Sequence, residues 1–185
     1  MIVERTHIDD LLIIKPDVFE DNRGYFTESF NAARFKSKTG LDVVFVQDNE
    51  SMSNKNVLRG LHFQKPPHGQ GKLVRVVKGA VLDVAVDIRK GSPTFGQYAK
   101  VELNEKNKLQ FYVPPGFAHG FLVLEDHTIF SYKCTNYYNR ESEDGLRWND
   151  EAIGVDWGIS NPILSEKDKH AQKLDGNFVS PFEYV

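Results

Sequence analysis

An alternation of apolar and polar residues with a period of two constrains the fold of this chain most strongly. Over Val81–Ile88, the even-numbered residues are all leucine, valine or isoleucine and fall on one face of an extended chain. The odd-numbered positions include Asp83 and Asp87 and fall on the other face. This pattern is typical of a β-strand that buries one face in a core.

Short segments of the same kind recur along the chain. They are Val43–Gln47, Lys72–Val77, Tyr98–Leu103, Leu109–Val113, Gly120–Leu124 and Thr128–Asn136. Turn residues such as Lys78-Gly79 and Lys90-Gly91-Ser92-Pro93 separate them. Many short strands at spacings of roughly 8–12 residues favour an antiparallel sandwich or barrel. No long helical patterns alternate with the strands, which argues against a doubly wound parallel sheet.

Two short helices are expected at the periphery. Asn31 is a candidate cap for a helix through Lys38, with Gly40 just beyond its end. Ser165 and Asp168 form an S-x-x-D pattern, which is a variant of the capping box. The segment Phe19–Phe30 is extended, aromatic and charged, so we expect it to add to a sheet edge or to a partner subunit.

Length and charge exclude several classes of protein. A chain of 185 residues favours a single domain over 1–185. With 23 Lys and Arg against 26 Asp and Glu, the chain lacks the basic surplus of a general nucleic-acid binder. No apolar run approaches the ~18 residues of a membrane span, and the first ten residues lack the apolar segment of a secretory signal. The single cysteine, Cys134, suits a reducing cytoplasm.

The first candidate site is Arg59-Gly60-Leu61-His62-Phe63-Gln64, followed by Lys72. In a regular strand Arg59 and His62 point to opposite faces, so they share a face only if Gly60 introduces a bulge. His62 is then either a hydrogen-bonded strand histidine or a general base, the role suggested by an imidazole pKa of about 6.5.

The second is Val113–Phe121, whose P-x-G-x-x-H spacing is similar to the second cupin motif, in which the histidine binds a metal. The first cupin motif needs two histidines one residue apart, and here the matching stretch is His62-Phe63-Gln64. A metal site generally needs three or more protein ligands, so none is expected. His119 is otherwise a turn-stabilising histidine or a pocket residue.

Two further segments carry candidate polar groups. In Phe130–Tyr138, Tyr132 shares a face with Phe130 and Cys134, and is either a core tyrosine or a phenol that faces a barrel interior. Tyr137 and Tyr138 follow outside, as rim packing or as a surface for a flat ligand. Asp168 is either the helix cap or a carboxylate that orients a histidine.

Arginines provide candidate anion sites. Arg23 and Arg59 are two guanidinium forks that suit a phosphate or a diphosphate, although a single surface arginine is usually a solvated charge. The sequence contains no Walker-type loop and no G-x-G-x-x-G, so side chains would have to hold such a group.

Taken together, these segments resemble the dTDP-4-dehydrorhamnose 3,5-epimerase family. The matching stretches are Asp21–Phe26, Phe45–Asn49, Asn56–Gln64, Gln70–Arg75, Asp83–Arg89, Ser92–Gly96, Pro115–Phe121, Tyr132-Lys133, Thr135–Tyr138, Trp148–Asp150 and Leu164–Asp168. They follow one another in order over most of the chain, which makes the resemblance far more specific than any single histidine.

The resemblance implies an all-β, cupin-type jelly roll of antiparallel strands with a few short peripheral helices. It implies a cytoplasmic isomerase that needs no cofactor and no metal, and that binds neither nucleic acid nor membrane. The expected reaction converts dTDP-4-dehydro-6-deoxy-D-glucose to dTDP-4-dehydro-L-rhamnose by epimerisation at C3 and C5, in dTDP-L-rhamnose biosynthesis. The expected assembly is a homodimer that exchanges the N-terminal segment, about residues 1–30.

The resemblance also implies roles for individual residues. His62 is the base, Asp168 its orienting partner, Tyr132 the acid on the opposite face, and Lys72 the cation near the enolate oxygen. The implied substrate-binding residues are Arg23, Glu28, Gln47, Asp48, Asn49, Arg59, His119, Tyr138, Glu143 and Lys167. Tyr138 resembles the tyrosine that stacks on thymine. The register of Glu143 is open, because Glu141 and Asp144 lie beside it.

Three alternative functions remain open on the sequence. The first is an epimerase that acts at C3 or C5 alone on another dTDP-4-keto-6-deoxyhexose. The second is a metal-dependent cupin oxygenase, and the third is a sugar-nucleotide-binding jelly roll with no activity. A binding module has no need for His62 and Tyr132 on opposed faces.

Overall fold

The structure is a computed structural model that describes residues 1–184. In this part of the chain the strands are β1 (Ile2–Arg5), β2 (Leu12–Lys15), β3 (Val18–Asp21), β4 (Gly24–Thr27), β5 (Gln47–Ser53), β6 (Leu58–Gln64), β7 (Lys72–Lys78), β8 (Ala80–Asp87), β9 (Tyr98–Asn104), β10 (Gln110–Val113), β11 (Phe117–Val123), β12 (Thr128–Cys134) and β13 (Glu143–Gly145). The helices are α1 (Ala32–Thr39) and α2 (Glu166–Lys169).

Two antiparallel sheets form the body of the molecule. One sheet has six strands in the order β1-β2-β10-β7-β12-β5, and the other has five in the order β13-β6-β11-β8-β9. Their inner faces pack together around a shared apolar core that includes Val74, Phe111 and Phe130 from the first sheet and Val81 and Phe121 from the second. This is the antiparallel jelly roll with short peripheral helices that the sequence predicts, and β3 and β4 form a separate hairpin.

Strand β8 differs from the prediction because it is buried on both faces. The even-numbered side chains pack under the C-terminal segment, against Ile153, Trp157 and Leu174. The odd-numbered face, which carries Asp83, turns into the space between the sheets, where Val81 joins the central core. The aspartate pattern therefore marks an inward polar group and not a solvent-facing side.

The prediction of a strand at Val43–Gln47 is wrong in position. The residues between the end of α1 and residue 46 form no strand, and β5 starts at Gln47. The apolar side chains of Val43 and Phe45 pack against a cluster that contains Phe35 of α1. Phe35 of α1, together with side chains of β2, β7 and β10, therefore buries these two residues.

Helix α1 forms where the capping residues predict it. The side chain of Asn31 accepts a hydrogen bond from the backbone N–H of Arg34 at 3.0 Å. Gly40 adopts a φ of 76° and ends the helix, a left-handed conformation that glycine tolerates without strain. Within residues 1–184, no helix combines the length and the hydropathy required to cross a membrane.

Candidate active site

A cavity of about 450 Å³ opens between the two sheets. Its wall carries an unusual concentration of ionisable and hydrogen-bonding side chains. The polar lining residues are Ser51, Arg59, His62, Lys72, His119, Tyr132, Glu143, Ser165 and Asp168. The four residues expected to be catalytic therefore meet in one cavity, together with three of the expected binding residues.

A bulge in β6 turns Arg59 and His62 toward the same cavity. His62 pairs with His119 of β11, whereas Arg59 pairs with Phe121. Between these two pairs β6 therefore contains one more residue than β11, which defines a β-bulge. Gly60 lies within the bulge at a φ of 133°. The expectation that a bulge near Gly60 unites the two side chains is confirmed by this register.

The imidazole of His62 is held by a carboxylate that is distant in sequence. Its Nε2 lies 2.5 Å from Oδ1 of Asp168, which is only 3% exposed at the start of α2. Burial acts to raise the pKa of Asp168, but hydrogen bonds from His62 and Ser165 outweigh it and hold that pKa below the usual value. The carboxylate therefore stays ionised next to the ring.

Asp168 also takes part in the helix cap. Its backbone N–H donates to Oγ of Ser165 at 3.2 Å, as the S-x-x-D pattern predicts. The cap and the histidine contact, which are alternatives on the sequence, are both present because one uses the backbone and the other the side chain of Asp168.

Tyr132 approaches the cavity from the opposite sheet. It lies on β12, in the six-stranded sheet, whereas His62 lies on β6, in the five-stranded sheet. Burial raises the pKa of the Tyr132 phenol above its usual value. The phenol is therefore protonated near neutral pH and can donate a proton into the cavity.

Lys72 enters from the same sheet as Tyr132. Burial lowers the pKa of its ammonium, while the nearby acidic groups of Asp83 and Glu143 act in the opposite direction. The site thus contains a buried amine whose charged form these two acidic groups favour. Such a group suits an oxygen that gains negative charge during a reaction.

Asp83 is a site residue that sequence reasoning missed. Its Oδ1 lies 2.8 Å from Nε2 of His119, and the aspartate is fully buried. Burial raises the pKa of Asp83, and its Oδ2 has no hydrogen-bond partner among the described residues. The available signal is the pair of aspartates, Asp83 and Asp87, on the face of β8 that the alternation places opposite the apolar one. His119 is thus a buried cavity residue and not a turn residue.

The cavity continues toward the surface in a second space of about 260 Å³. Gln47, Asn49 and Tyr138 line it, together with Glu143, which borders both spaces. The Glu143 carboxylate accepts hydrogen bonds from Nζ of Lys167 at 2.6 Å and from the hydroxyl of Tyr138 at 3.0 Å. Among the neighbouring carboxylates, it is thus Glu143 whose side chain borders the cavity.

Four expected binding residues line neither space. Lys167 reaches the cavity wall through its ion pair with Glu143, whereas the other three do not. Arg23 sits at the tip of the β3–β4 hairpin, 85% exposed, and pairs with Asp21. Glu28 lies 3.3 Å from Arg34 and borders a separate small pocket beside α1. Asp48 pairs with Lys133 at 3.0 Å. A single chain therefore does not bring these three to the cavity.

The residue in the position of a cupin metal ligand is engaged elsewhere. The side-chain amide of Gln64 donates to the carbonyl oxygens of His68 and Tyr137, and accepts from the backbone of Asn139. Within residues 1–184, no three histidine, cysteine, aspartate or glutamate side chains converge in a way that could hold a metal ion. Gln64 thus has a structural role.

Comparisons with known proteins agree with this geometry. The sequence model of the family described as dTDP-4-dehydrorhamnose 3,5-epimerase matches residues 5–176. The chain is 56% identical to the dTDP-4-dehydrorhamnose 3,5-epimerase of Salmonella typhimurium over 176 residues, which cover 95% of this chain and 96% of the relative.

Solved structures show the same architecture. The Legionella pneumophila dTDP-6-deoxy-D-glucose-3,5-epimerase, solved in complex with dTDP-4-keto-L-rhamnose, superposes with a TM-score of 0.94 at 48% identity and covers 99% of this chain and 97% of that chain. A 3'-monoepimerase from Streptomyces bikiniensis, in complex with dTDP-quinovose, has a TM-score of 0.87 at 33% identity and covers 92% and 86%. The shared fold thus serves both double and single epimerisation.

Similarity over nearly the whole chain, in sequence and in structure, goes well beyond a common jelly roll. The chain belongs to the dTDP-4-dehydrorhamnose 3,5-epimerase family.

Proposed function

We propose that this protein epimerises C3 and C5 of dTDP-4-dehydro-6-deoxy-D-glucose to give dTDP-4-dehydro-L-rhamnose. One observation carries the proposal beyond family membership: a histidine–carboxylate pair and a protonated phenol face one cavity from opposite sheets. Inversion at carbon requires proton removal on one face of the sugar and proton delivery on the other. The two sheets supply those two faces.

His62 removes the proton next to the C4 ketone. Because Asp168 is ionised and contacts Nε2, the neutral ring carries its proton on Nε2 and leaves Nδ1 as the basic atom. The C–H electron pair moves into the ring carbon–carbon bond and then to the ketone oxygen, which becomes an enolate. The imidazolium that forms is stabilised by the Asp168 carboxylate.

Lys72 stabilises the enolate oxygen. It lines the cavity together with His119, whose ring is held by the buried Asp83. A positive charge or hydrogen-bond donor placed where negative charge develops contributes more in a dry pocket than in water. Lys72 therefore lowers the barrier to proton removal.

Tyr132 returns a proton to the opposite face of the same carbon. The enolate collapses to the ketone with inverted stereochemistry. The His62 imidazolium then releases its extra proton to solvent, and Tyr132 takes one up. The same chemistry serves C3 and C5, since both carbons flank the C4 ketone. A positioned acid or base contributes about 10²–10⁴-fold to such a step.

The nucleotide binds in the outer space of the cavity. Gln47, Asn49 and Tyr138 line that space. Arg59 lines the larger cavity, where its guanidinium is held by hydrogen bonds to Ser53 of 3.0 and 3.2 Å. An arginine fork suits a diphosphate, and the exposed ring of Tyr138 suits a flat base. Remote contacts of this kind hold the sugar while its two centres react in turn.

The working unit we propose is a homodimer. The β3–β4 hairpin exposes Phe19 at 62%, Tyr25 at 56% and Phe26 at 67%, beside the exposed guanidinium of Arg23. Apolar exposure on this scale is typical of a contact surface. Because β1 and β2 belong to the chain's own six-stranded sheet, the exchanged part of residues 1–30 starts at the hairpin. The exchange would place Arg23 and Glu28 at the partner's cavity, where Arg23 would complete the anion site.

Solvent exchange tests the proposed reaction. In D₂O, the enzyme should incorporate deuterium from solvent at both C3 and C5 of the 4-keto-6-deoxy sugar nucleotide, followed by NMR. The His62→Ala variant should incorporate none above background. Exchange at one carbon alone would favour the single-centre epimerase, and no exchange at either would contradict the proposal.

A further inference from the structure

We propose that Ser165 is a positioning residue of the proton-abstracting pair, whose hydroxyl fixes the Asp168 carboxylate in the orientation that serves His62. This inference rests on the function proposed above. It gives a role in catalysis to a residue that the sequence identifies only as a helix cap.

The hydrogen bonds between Ser165 and Asp168 form a closed ring. The backbone N–H of Asp168 donates to Oγ of Ser165 at 3.2 Å, and Oγ lies 2.8 Å from Oδ2 of the same aspartate. Since the amide supplies the donor in the first contact, the hydroxyl keeps its own proton for the second. An ionised carboxylate can only accept, so the direction of both bonds is determined.

The two oxygens of the Asp168 carboxylate are divided between two partners. Oδ1 contacts His62 at 2.5 Å, and Oδ2 contacts Ser165. With 3% of Asp168 exposed, solvent has little access to replace either contact. The carboxylate therefore cannot rotate about its side-chain bond without losing a charge-assisted hydrogen bond.

Ser165 is itself anchored to the strand that carries the base. Ile163 donates to the carbonyl of Asn56 at 2.8 Å and accepts from the N–H of Leu58 at 3.0 Å, just before Ser165. Leu58 is the first residue of β6, and His62 follows four residues later. The two backbone hydrogen bonds of Ile163 therefore tie the segment that carries Ser165 to the strand that carries His62, although the two residues are far apart in sequence.

The contact also sets the basicity of the pair. A donor on Oδ2 withdraws negative charge from the carboxylate, and the hydrogen bond from Ser165 contributes to the low pKa of Asp168. Without this donor, the carboxylate is more basic and holds the His62 imidazolium more strongly. The low-pH fall of the exchange rate, which we call the acid limb, should then move to higher pH, because the pair as a whole keeps its proton to higher pH.

Ser165→Gly separates this role from the helix cap. Glycine is tolerated at an N-cap at a cost of only a few tenths of a kcal/mol relative to serine, but it has no hydroxyl. We expect deuterium exchange at C3 and C5 to fall about tenfold on the plateau, since the lost bond involves a charged group. We also expect the pH at which the exchange rate falls to half of its plateau to move upward by up to about one pH unit.

Two variants serve as controls. Ser165→Thr keeps a hydroxyl and should restore both the rate and the position of the acid limb. Asn31→Gly removes the cap of α1, away from the cavity, and should leave the pH profile unchanged. Affinity for dTDP, measured by calorimetry, should match that of the unmodified enzyme in all three variants.

The results separate this inference from the proposed function. If Ser165→Gly leaves the exchange rate and its pH profile unchanged, the positioning role of Ser165 is overturned. Loss of activity in Asp168→Asn would still support the His62–Asp168 pair in that case. A Ser165→Gly variant that is slower by the same factor at every pH would also overturn it, because loss of folded enzyme alone has that signature. Full activity of Asp168→Asn would overturn the proposed pair itself.

Discussion

At the scale of single residues, the cavity pairs each of its two histidines with a buried carboxylate. His62 contacts Asp168 and His119 contacts Asp83, and the two histidines are direct neighbours across β6 and β11. Each carboxylate selects the tautomer of its ring by accepting from Nε2. The other ring nitrogen, Nδ1, is not used by these carboxylates. The properties of each histidine therefore depend on its buried partner as well as on its own residue type.

Tyr132→Phe should separate proton removal from inversion. The phenylalanine keeps the ring but lacks the proton, so deuterium exchange should persist within about tenfold while product formation falls by about 10²-fold or more. Both quantities are read from one NMR time course in D₂O. Tyr137→Phe is the matched control, because that tyrosine is largely exposed and should not change either rate.

Product formed by Tyr132→Phe at the unmodified rate would contradict the assignment of Tyr132 as the acid. Loss of exchange together with inversion would contradict the separate roles of the two sheets.

At the scale of elements, the bulge in β6 decides which side chains reach the cavity. It depends on the close approach of β6 and β11: a Cβ on Gly60 would lie 2.5 Å from Cα of Gly120 and 3.0 Å from the carbonyl oxygen of His119. Both of these neighbours are backbone atoms, so neither can move independently of its strand. The site geometry therefore requires glycine at position 60.

Gly60→Ala should lower the free energy of unfolding by about 3 kcal/mol, at the upper end for single substitutions. The added methyl group meets backbone on β11, and the φ of 133° is unfavourable for alanine. Gly91→Ala is the control, since its φ of 83° carries backbone strain but its Cβ meets nothing within 4 Å. It should cost about 1 kcal/mol.

Urea denaturation measures both losses, and the difference between them reports the contact with β11. Equal losses would show that backbone strain alone accounts for Gly60.

At the scale of the whole molecule, two sheets enclose the site and a hairpin remains outside. The aromatic rings of Phe19 and Phe26 pack mainly on each other, with centroids 6.5 Å apart. Arg23 has no contact with the cavity of its own chain. An arm of this kind supports a site completed by a second subunit.

Mixing two inactive variants tests the shared site. A heterodimer combines one His62→Ala chain with one Arg23→Glu chain. In it, the cavity of the Arg23→Glu chain retains His62 and receives the hairpin of the His62→Ala chain, which retains Arg23. After denaturation and refolding at equal concentrations, about half of the dimers are mixed and each has one working site. The mixture should therefore recover about a quarter of the unmodified activity.

No recovery in dimers shown by mass to be mixed would mean that the arm serves its own chain. Each variant refolded alone provides the baseline for this comparison.

Much of the fold could be predicted because its determinants are local. The period of two places strands such as β9 and β12, and the residues that cap α1 lie next to it in sequence. The bulge could be anticipated from Gly60 alone. The strand expected at Val43–Gln47 fails for the opposite reason: an apolar run shows that it is buried, but not whether a sheet or a helix covers it.

The sequence by itself determined the antiparallel strand pattern, the short helices, the family and the residue types needed for proton transfer. The tertiary structure alone decided that Asp83 turns inward to His119, that Asp168 serves as both cap and partner, and that Arg23 lies outside the cavity of its own chain. The physical reason is distance along the chain. Periods and caps act within a few residues, whereas the contact between His62 and Asp168 joins positions 106 residues apart.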